Sequence, residues 1–363
     1  MERLSSGESP LSYPLPIPLG ARRMAILADG CFSALGAKTA VCLVRYAAGE
    51  VVAVIDASRA PSTAGETIGF GGSIPVVASL KEALAFGPNT LVFGTAPRGG
   101  MIARADRAVA VEAIRNGLHV MNGMHEFLGD DEDLAALAAE KGVVLWDARR
   151  PPKGLGVASG KGCAPCPVVF TVGSDCNTGK MTAGMEIHRA LLRDGVRSGF
   201  AASGQTGIMI MGTGIPVDRV IADFIGGATE RLVRETAPGN DVVILEGQGS
   251  ILHPGYAGVV FGMIAGVLPR AYVLCHQPTR ETVRGYTVPI PPLAELASLY
   301  EGAISGIRRI PVIGIALNTF DLDDEGARRA VEAAERETGR PVTDPVRFGA
   351  GVLARAIRGF LSI

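Results

Sequence analysis

The sequence predicts an α/β protein with two parallel-sheet domains: a Rossmann-like domain, then one built on a phosphate-loop turn of the P-loop NTPase-like kind. Three observations carry that expectation. Short apolar runs alternate with helical stretches of about 10–15 residues, the rhythm of βαβ units. The runs are continuously apolar, as strands covered on both faces are. The chain has 363 residues, which at ~150 residues per domain suggests two domains. Glycine is abundant at 48 residues and aromatics are scarce at 5%, which fits tight strand-to-helix turns and close helix–sheet packing.

Residues 1–22 are Ser/Pro-rich and read as an extended or poorly ordered arm. The first domain is placed at 23–150. Its strands are expected at Met24–Ala28, Val51–Ile55, Thr90–Phe93, Leu118–Met121 and Val143–Trp146. Its helices are expected at Gly36–Arg45, Ser79–Phe86, Ala103–Asn116 and Asp131–Lys141. The Pro-, Gly- and Lys-rich stretch 151–166 is the linker candidate. The second domain is placed at 167–363, with strands at Val168–Val172, Ser198–Ala202, Val242–Leu245, Tyr272–Leu274 and Val312–Ala316. Its helices are expected at Lys180–Asp194, Glu325–Thr338 and Gly351–Leu361.

Composition excludes several function classes. Lys+Arg number 35 against 36 Asp+Glu, so the chain lacks the basic excess of a non-specific nucleic-acid binder. No run reaches the ~18–20 apolar residues of a membrane span. The start of the chain has no signal-peptide pattern. Six cysteines in a chain this long are no disulfide framework, and a cytoplasmic protein is expected. The expected partner is a small-molecule substrate, not nucleic acid or membrane, with homo-oligomerisation left open.

The strongest motif is Gly173-Ser174-Asp175-Cys176-Asn177-Thr178-Gly179-Lys180-Met181-Thr182. It joins an apolar strand to a helix, the setting a phosphate-cradling loop requires. Successive backbone N–H groups and a helix N-terminus make a positive concavity there, and Lys180 adds a point charge. The strict Walker A spacing is not met: five residues separate Gly173 from Gly179, and Met181 stands where Ser or Thr binds Mg²⁺. The loop resembles that of dethiobiotin synthetase and its relatives.

The second motif is the apolar strand Val242–Leu245 followed by Glu246-Gly247-Gln248-Gly249-Ser250. It delivers an acid to the strand's C-terminal edge, where open α/β sheets bind ligands. It too resembles a segment of the synthetase group, whose Glu helps to hold Mg²⁺. Thr182 and Glu246 are the metal-ligand candidates if Mg²⁺ is used; otherwise no metal is expected.

Smaller signals lie at other strand ends: Gly204-Gln205-Thr206-Gly207, Asp218 and Asp223, His253, Cys275-His276-Gln277-Pro278-Thr279-Arg280, and Asn318-Thr319. Cys163-Ala164-Pro165-Cys166 resembles a zinc or redox half-site, but no second pair has the spacing to complete it. In the first domain no Gly-x-Gly-x-x-Gly follows the first strand, so a dinucleotide site is weakly supported.

Together with Ser203–Ile208, Ile221-Ala222-Asp223-Phe224 and Asp344-Pro345, these motifs resemble the DgcN family over most of 90–355. The resemblance implies a Rossmann-like domain joined to a P-loop domain, and acetylation of D-glutamate with acetyl-CoA in D-amino-acid catabolism. Residues 173–182 would hold the acetyl-CoA. Glu246, His253 and Asp223 are the candidate catalytic groups. Gln205, Thr206, Gln248, Ser250, His276, Arg280 and Arg98 are the candidates for substrate contact, and Arg284 is a further cation for its carboxylates. Two alternatives stay open: an ATP- and Mg²⁺-dependent ligase or kinase resembling dethiobiotin synthetase, and a non-enzymatic nucleotide or CoA sensor.

Overall fold

The computed structural model describes residues 15–34, 36–97, 99–162 and 166–363. The chain forms two compact units, Met1–Pro152 with Gln205–Arg219, and Lys153–Gly204 with Val220–Ile363. Among the described residues no helix is long and apolar enough to cross a membrane.

The first unit runs β1 (Met24–Leu27), α1 (Lys38–Tyr46), β2 (Val51–Ile55), β3 (Ser62–Thr63), α2 (Ala64–Ile68), β4 (Pro75–Val77), α3 (Leu80–Ala83), β5 (Thr90–Phe93), α4 (Arg104–Arg115), β6 (His119–Asn122), α5 (Glu132–Lys141) and β7 (Leu145–Asp147). The sheet order is β3-β4-β2-β1-β5-β6-β7. Its ladders are parallel except for the short β3–β4 pair. Every residue of β1 is buried, as befits its central place. On one face Ala110, Ala113 and Ile114 of α4 and Leu134 and Ala138 of α5 pack against Leu91, Phe93 and Val120. On α1's side the approach is so close that a Cβ on Gly94 would lie 2.6 Å from Ile26 Cγ2 and 2.8 Å from Ala40 Cβ.

Several local expectations are corrected here. The helix expected at Ser79–Phe86 is one α-turn, α3, followed by a 3₁₀ turn at Leu84–Phe86. The stretch Ser58–Ser73, which has no obvious pattern, contains β3 and α2. Thr63 and Glu66 start that helix with a reciprocal capping box. Of the arm, residues 1–14 lie outside the described residues. Its last residue, Arg22, is buried, pairs with Glu50, and donates from Nη1 to the Met209 carbonyl at 2.6 Å.

Asp56, at the end of β2, stands where dinucleotide folds place a ribose ligand. Here its carboxylate accepts from Gly30 N (3.0 Å), Phe32 N (2.8 Å), Ser58 N (2.9 Å) and Ser58 Oγ (2.6 Å). Burial alone would raise its pKa, but these hydrogen bonds hold it below the ordinary aspartate value. The acid is therefore spent on holding the β1 loop.

The second unit runs β8 (Val168–Gly173), α6 (Lys180–Arg193) and β9 (Ser198–Ala201). After β9 the chain enters α7 (Gln205–Met211), which belongs to the first unit. It resumes with α8 (Ile225–Thr236), β10 (Val242–Leu245), α9 (Ala257–Val267), β11 (Ala271–His276), α10 (Leu293–Gly302), β12 (Val312–Leu317), α11 (Asp324–Thr338), β13 (Val342–Thr343) and α12 (Gly351–Leu361). The sheet is wholly parallel, in the order β13-β12-β11-β8-β10-β9. β8 is central, with β10 and β11 on either side, so the loops after these three strands emerge together at one edge.

The sequence expectation put 205–219 in the second domain, but the segment clusters with the first unit. Its apolar residues Ile208 and Met209 are fully buried, and Thr206 Oγ1 shares a 3.0 Å hydrogen bond with Thr39 Oγ1 of α1. The stretch read as a linker is also not free chain. Residues 153–159 run along α8: Arg231 Nη1 donates to the Lys153 carbonyl (3.1 Å) and Ser159 N to Glu230 Oε2 (2.6 Å). Gly227 makes this crossing possible, because a Cβ there would stand 2.0 Å from the Gly156 carbonyl oxygen. Gly227→Ala should therefore push the strap off α8. Overpacking of this kind costs about 1–3 kcal/mol, and a thermal melt should show a Tm lower by several degrees. An unchanged Tm would show that the strap is not held there.

Candidate functional site

The edge where β8, β10 and β11 end carries the candidate site. Its floor is the loop Gly173–Lys180 between β8 and α6. Two residues make the turn with positive φ, Asn177 at 55° and Gly179 at 92°. The same geometry keeps Gly173 small: a Cβ there would lie 2.8 Å from Thr178 Oγ1 and 3.0 Å from Lys180 Nζ. Lys180 is buried and donates from Nζ to the Asp175 carbonyl oxygen at 2.6 Å, while Thr178 Oγ1 donates to the same oxygen at 3.2 Å. The ammonium thus lies over the start of the loop. Met181 is 4% exposed, and Thr182 is half-buried one position further along α6.

The wall on the β11 side is tied to the floor by charge. Asp175 is fully buried. Its Oδ2 accepts from Arg280 Nη1 (2.8 Å) and from Arg284 N (2.7 Å), and its Oδ1 accepts from Cys176 N (2.6 Å). The same Arg280 Nη1 donates to the Cys176 carbonyl (2.6 Å), and Arg280 Nη2 donates to Gln277 Oε1 (2.5 Å). Arg280 is therefore largely committed to holding the loop. The Arg284 side chain is exposed and makes no ion pair among the described residues. It is the better-placed cation for a carboxylate. His276, at the end of β11, shares a 2.9 Å hydrogen bond between Nδ1 and Ser174 Oγ. Burial, aided by the Arg280 charge, pushes its pKa down to about 4.

The wall on the β10 side is Glu246 and the loop after it. Glu246 is buried, and its Oε2 accepts from Ser203 N (3.0 Å) and Gly204 N (3.1 Å). Ser203 Oγ returns a bond to the Glu246 carbonyl (2.7 Å) and accepts one from Gln248 Nε2 (2.9 Å). Gly247 crosses so close to β8 that a Cβ would stand 1.7 Å from the Thr171 carbonyl oxygen. Further on, Ser250 Oγ accepts from Leu252 N (3.1 Å). His253 Nδ1 accepts from Gly255 N (3.1 Å), and its ring lies between Tyr256, stacked at 4.4 Å, and Tyr286, edge-on at 5.0 Å. One ring nitrogen of His253, Cys176 Sγ and an Asp175 carboxylate oxygen all lie within 4.8 Å of one another.

The structure thus brings together residues 173–182, Glu246, Gln248, Ser250, His253, His276 and Arg280. The other candidates lie on other elements. Asp223 is exposed on a 3₁₀ turn before α8. Gln205 and Thr206 fall in the first unit, where Thr206 is bonded to Thr39. Asp218 pairs with Arg149 in that unit. Arg98 and Cys163–Pro165 lie outside the described residues. One residue escaped the sequence reading altogether: Tyr300 of α10, fully buried, donates to the Gly173 carbonyl (2.7 Å) and accepts from Ile251 N (3.3 Å). It ties the floor to the β10-side loop. No local pattern marks it, since the bond spans 127 positions in sequence.

Comparison with known proteins agrees with the resemblance read from the sequence. Residues 156–354 match the P-loop domain of the DUF1611 family, and residues 58–151 match its Rossmann-like N-terminal domain; both are described as domains of unknown function. The chain belongs to this family. A D-glutamate N-acetyltransferase of Tritonibacter scottomollicae is 38% identical over 77% of this chain and 84% of its own length. Another of that name from a Pseudoalteromonas species is 35% identical over 75% and 82%. The crystal structure of a DUF1611 family protein from Anabaena variabilis is similar with a TM-score of 0.88 at 40% identity, covering 93% of this chain and 99% of that one.

The buried His276 gives the site a pH signature. Its folded-state pKa of about 4 lies below the ordinary value of 6.5, so the unfolded chain binds the extra proton between those values. Stability should therefore fall as pH drops from 6.5 towards 4, and His276 ceases to contribute to the slope below that. Two and a half units correspond to roughly 3 kcal/mol at most. Urea melts across this range should show the slope, and His276→Gln should flatten it relative to the parent protein.

Proposed function

We propose that this protein transfers the acetyl group of acetyl-CoA to the amino group of an acidic amino acid, with D-glutamate the first candidate. The observation that carries the reading is the chemistry of the loop. It keeps the positive cradle and Lys180 of a phosphate site, yet buries Met181 where the metal-binding hydroxyl of a phosphoryl-transfer loop would stand. Coenzyme A is rich in phosphate and needs holding rather than hydrolysing. Two relatives named D-glutamate N-acetyltransferase, matching three quarters of the chain, support the same reading.

The side chains supply the remaining roles. Arg284 offers an exposed cation to a substrate carboxylate. Amide formation requires a proton to leave the amine, and Glu246 is the acid on the β10 side. Its Oε2 accepts from two amides, which hold the carboxylate in place. Backbone N–H groups of Gly247–Ser250 are the candidates for steadying the thioester oxyanion. The competing reading, an ATP/Mg²⁺-dependent ligase, would need Thr182 and Glu246 as metal ligands, and Glu246 already has Oε2 engaged.

The test follows free thiol released from acetyl-CoA with D-glutamate, L-glutamate and aspartate as acceptors, with and without a chelator. D-glutamate-dependent release that survives chelation is the expected result. ADP formed from ATP, with no thiol released, would promote the ligase. Glu246→Gln keeps an acceptor oxygen for Ser203 and Gly204 while removing the base, and should lower turnover by about 10²–10⁴-fold. Lys180→Ala should weaken CoA binding by roughly ten- to a hundredfold, the worth of a charge-assisted phosphate contact. An unchanged Kd would show that the loop is only structural.

A further inference from the structure

Asn318, just past the end of β12, has no part in the roles assigned so far, yet its backbone is held with care. Its N–H donates to the His276 carbonyl at 2.8 Å. The next residue, Thr319, is fully buried and donates to Asp344 Oδ2 from both N (3.0 Å) and Oγ1 (2.5 Å). The Thr319 carbonyl accepts from Arg347 Nη2 (3.0 Å) and from Leu322 N (3.0 Å). Asp344 is itself buried, and its Oδ1 accepts from Val346 N and Arg347 N, each at 2.9 Å. Asp321 is engaged as well, its Oδ2 accepting from Gln277 Nε2 at 2.9 Å.

The Asn318 carboxamide is different: it makes no hydrogen bond among the described residues. It is half-buried and rests beside the phosphate loop, since a Cβ on Gly179 would lie 3.8 Å from both Cβ and Nδ2 of Asn318. Gly179 is the residue from which α6 starts. Phe320, two positions on, leaves its ring exposed.

A carboxamide presents a donor and an acceptor side by side, Nδ2–H and Oδ1. Phosphate and carboxylate oxygens only accept, so they would leave Oδ1 unmet. The edge of adenine supplies both partners, N7 as acceptor and the N6 amino group as donor, which is the pairing by which Asn recognises that base. An exposed aromatic ring such as Phe320 is a surface on which a base stacks. CoA carries one adenine, joined through its ribose to the diphosphate.

We infer that Asn318 reads the adenine edge of the acetyl donor, with Nδ2–H on N7 and Oδ1 accepting from the N6 amino group; this deepens, and rests on, the reading in which the loop holds the phosphates of CoA. Asp344 and Arg347 are positioning residues, because they fix the backbone that carries the amide. Little further ordering is then needed on binding. Recognition of the base also selects the free coenzyme over a phosphopantetheine thioester, which has the same reactive end and no base.

Calorimetric titration of the full chain with CoA, with 4′-phosphopantetheine and with a CoA analogue carrying hypoxanthine in place of adenine tests this. Hypoxanthine has a carbonyl where adenine has its amino group, so Oδ1 meets an acceptor on that edge whichever way the amide turns. The parent protein should bind CoA roughly ten- to a hundredfold more tightly than the analogue. Asn318→Ala should lose that discrimination and weaken CoA by a similar factor. It should leave the affinity for 4′-phosphopantetheine and the melting temperature unchanged. Equal affinity of the parent for CoA and for the analogue would overturn the inference without any variant. So would an Asn318→Ala protein that loses as much affinity for 4′-phosphopantetheine as for CoA, which would put the amide on the pantetheine arm. No CoA binding by the parent would instead defeat the acetyltransferase reading, and this inference with it.

Discussion

The floor of the candidate site and its β11-side wall depend on one buried carboxylate. Asp175 has no exposed surface, and its charge is met by Arg280, by the Arg284 amide and by the Cys176 amide. Removing one partner of such a buried pair leaves the other charged and dry, at a cost of about 3–5 kcal/mol. The arrangement therefore specifies shape more than it adds stability. It joins the loop after β8 to the loop after β11, which lie more than a hundred residues apart in sequence and have no covalent reason to meet. Through Arg280 it also fixes the Cys176 carbonyl, and through the Arg284 amide it sets where the exposed Arg284 side chain begins.

Around that anchor the second unit divides the work between two walls. The β10 wall is held by Glu246, which ties its own strand end to Ser203 and Gly204 after β9. The floor is held to this wall by Tyr300, whose hydroxyl touches both Gly173 and the Ile251 amide. Burial pushes the Tyr300 pKa up to about 12, so it remains a neutral donor at any ordinary pH and a dependable tie. The three ties share no residue, and each bridges a different pair of strand ends. A loop built from small residues and backbone turns gains rigidity this way without any bulky side chain filling the cradle.

How much of this the sequence showed follows from the range of each interaction. The loop 173–182 was legible because its signal is local: a strand, a glycine turn and a lysine within ten positions. Glu246 was legible for the same reason, as an acid at the end of an apolar run. What it does was not, because its partners Ser203 and Gly204 are forty-odd residues away. Arg280 was read as a substrate cation. The structure shows it spent on Asp175, a pairing with no sequence signature. α9 escaped notice because it is apolar on every side, with Gly258, Gly262 and Gly266 breaking the pattern. The placement of 205–219 failed for a different reason: chain order suggests the second domain, but the buried Ile208 and Met209 find their core in the first unit.

The loop also departs from a phosphoryl-transfer loop without any change to its strand–turn–helix frame. A phosphoryl-transfer loop of the strict pattern has a hydroxyl after its lysine to hold a metal. This loop has Met181 at that position. A buried thioether contributes packing and no oxygen ligand. Met181 leaves that position without an oxygen, while Lys180, Gly179 and the start of α6 keep the strand–turn–helix frame of a phosphate loop.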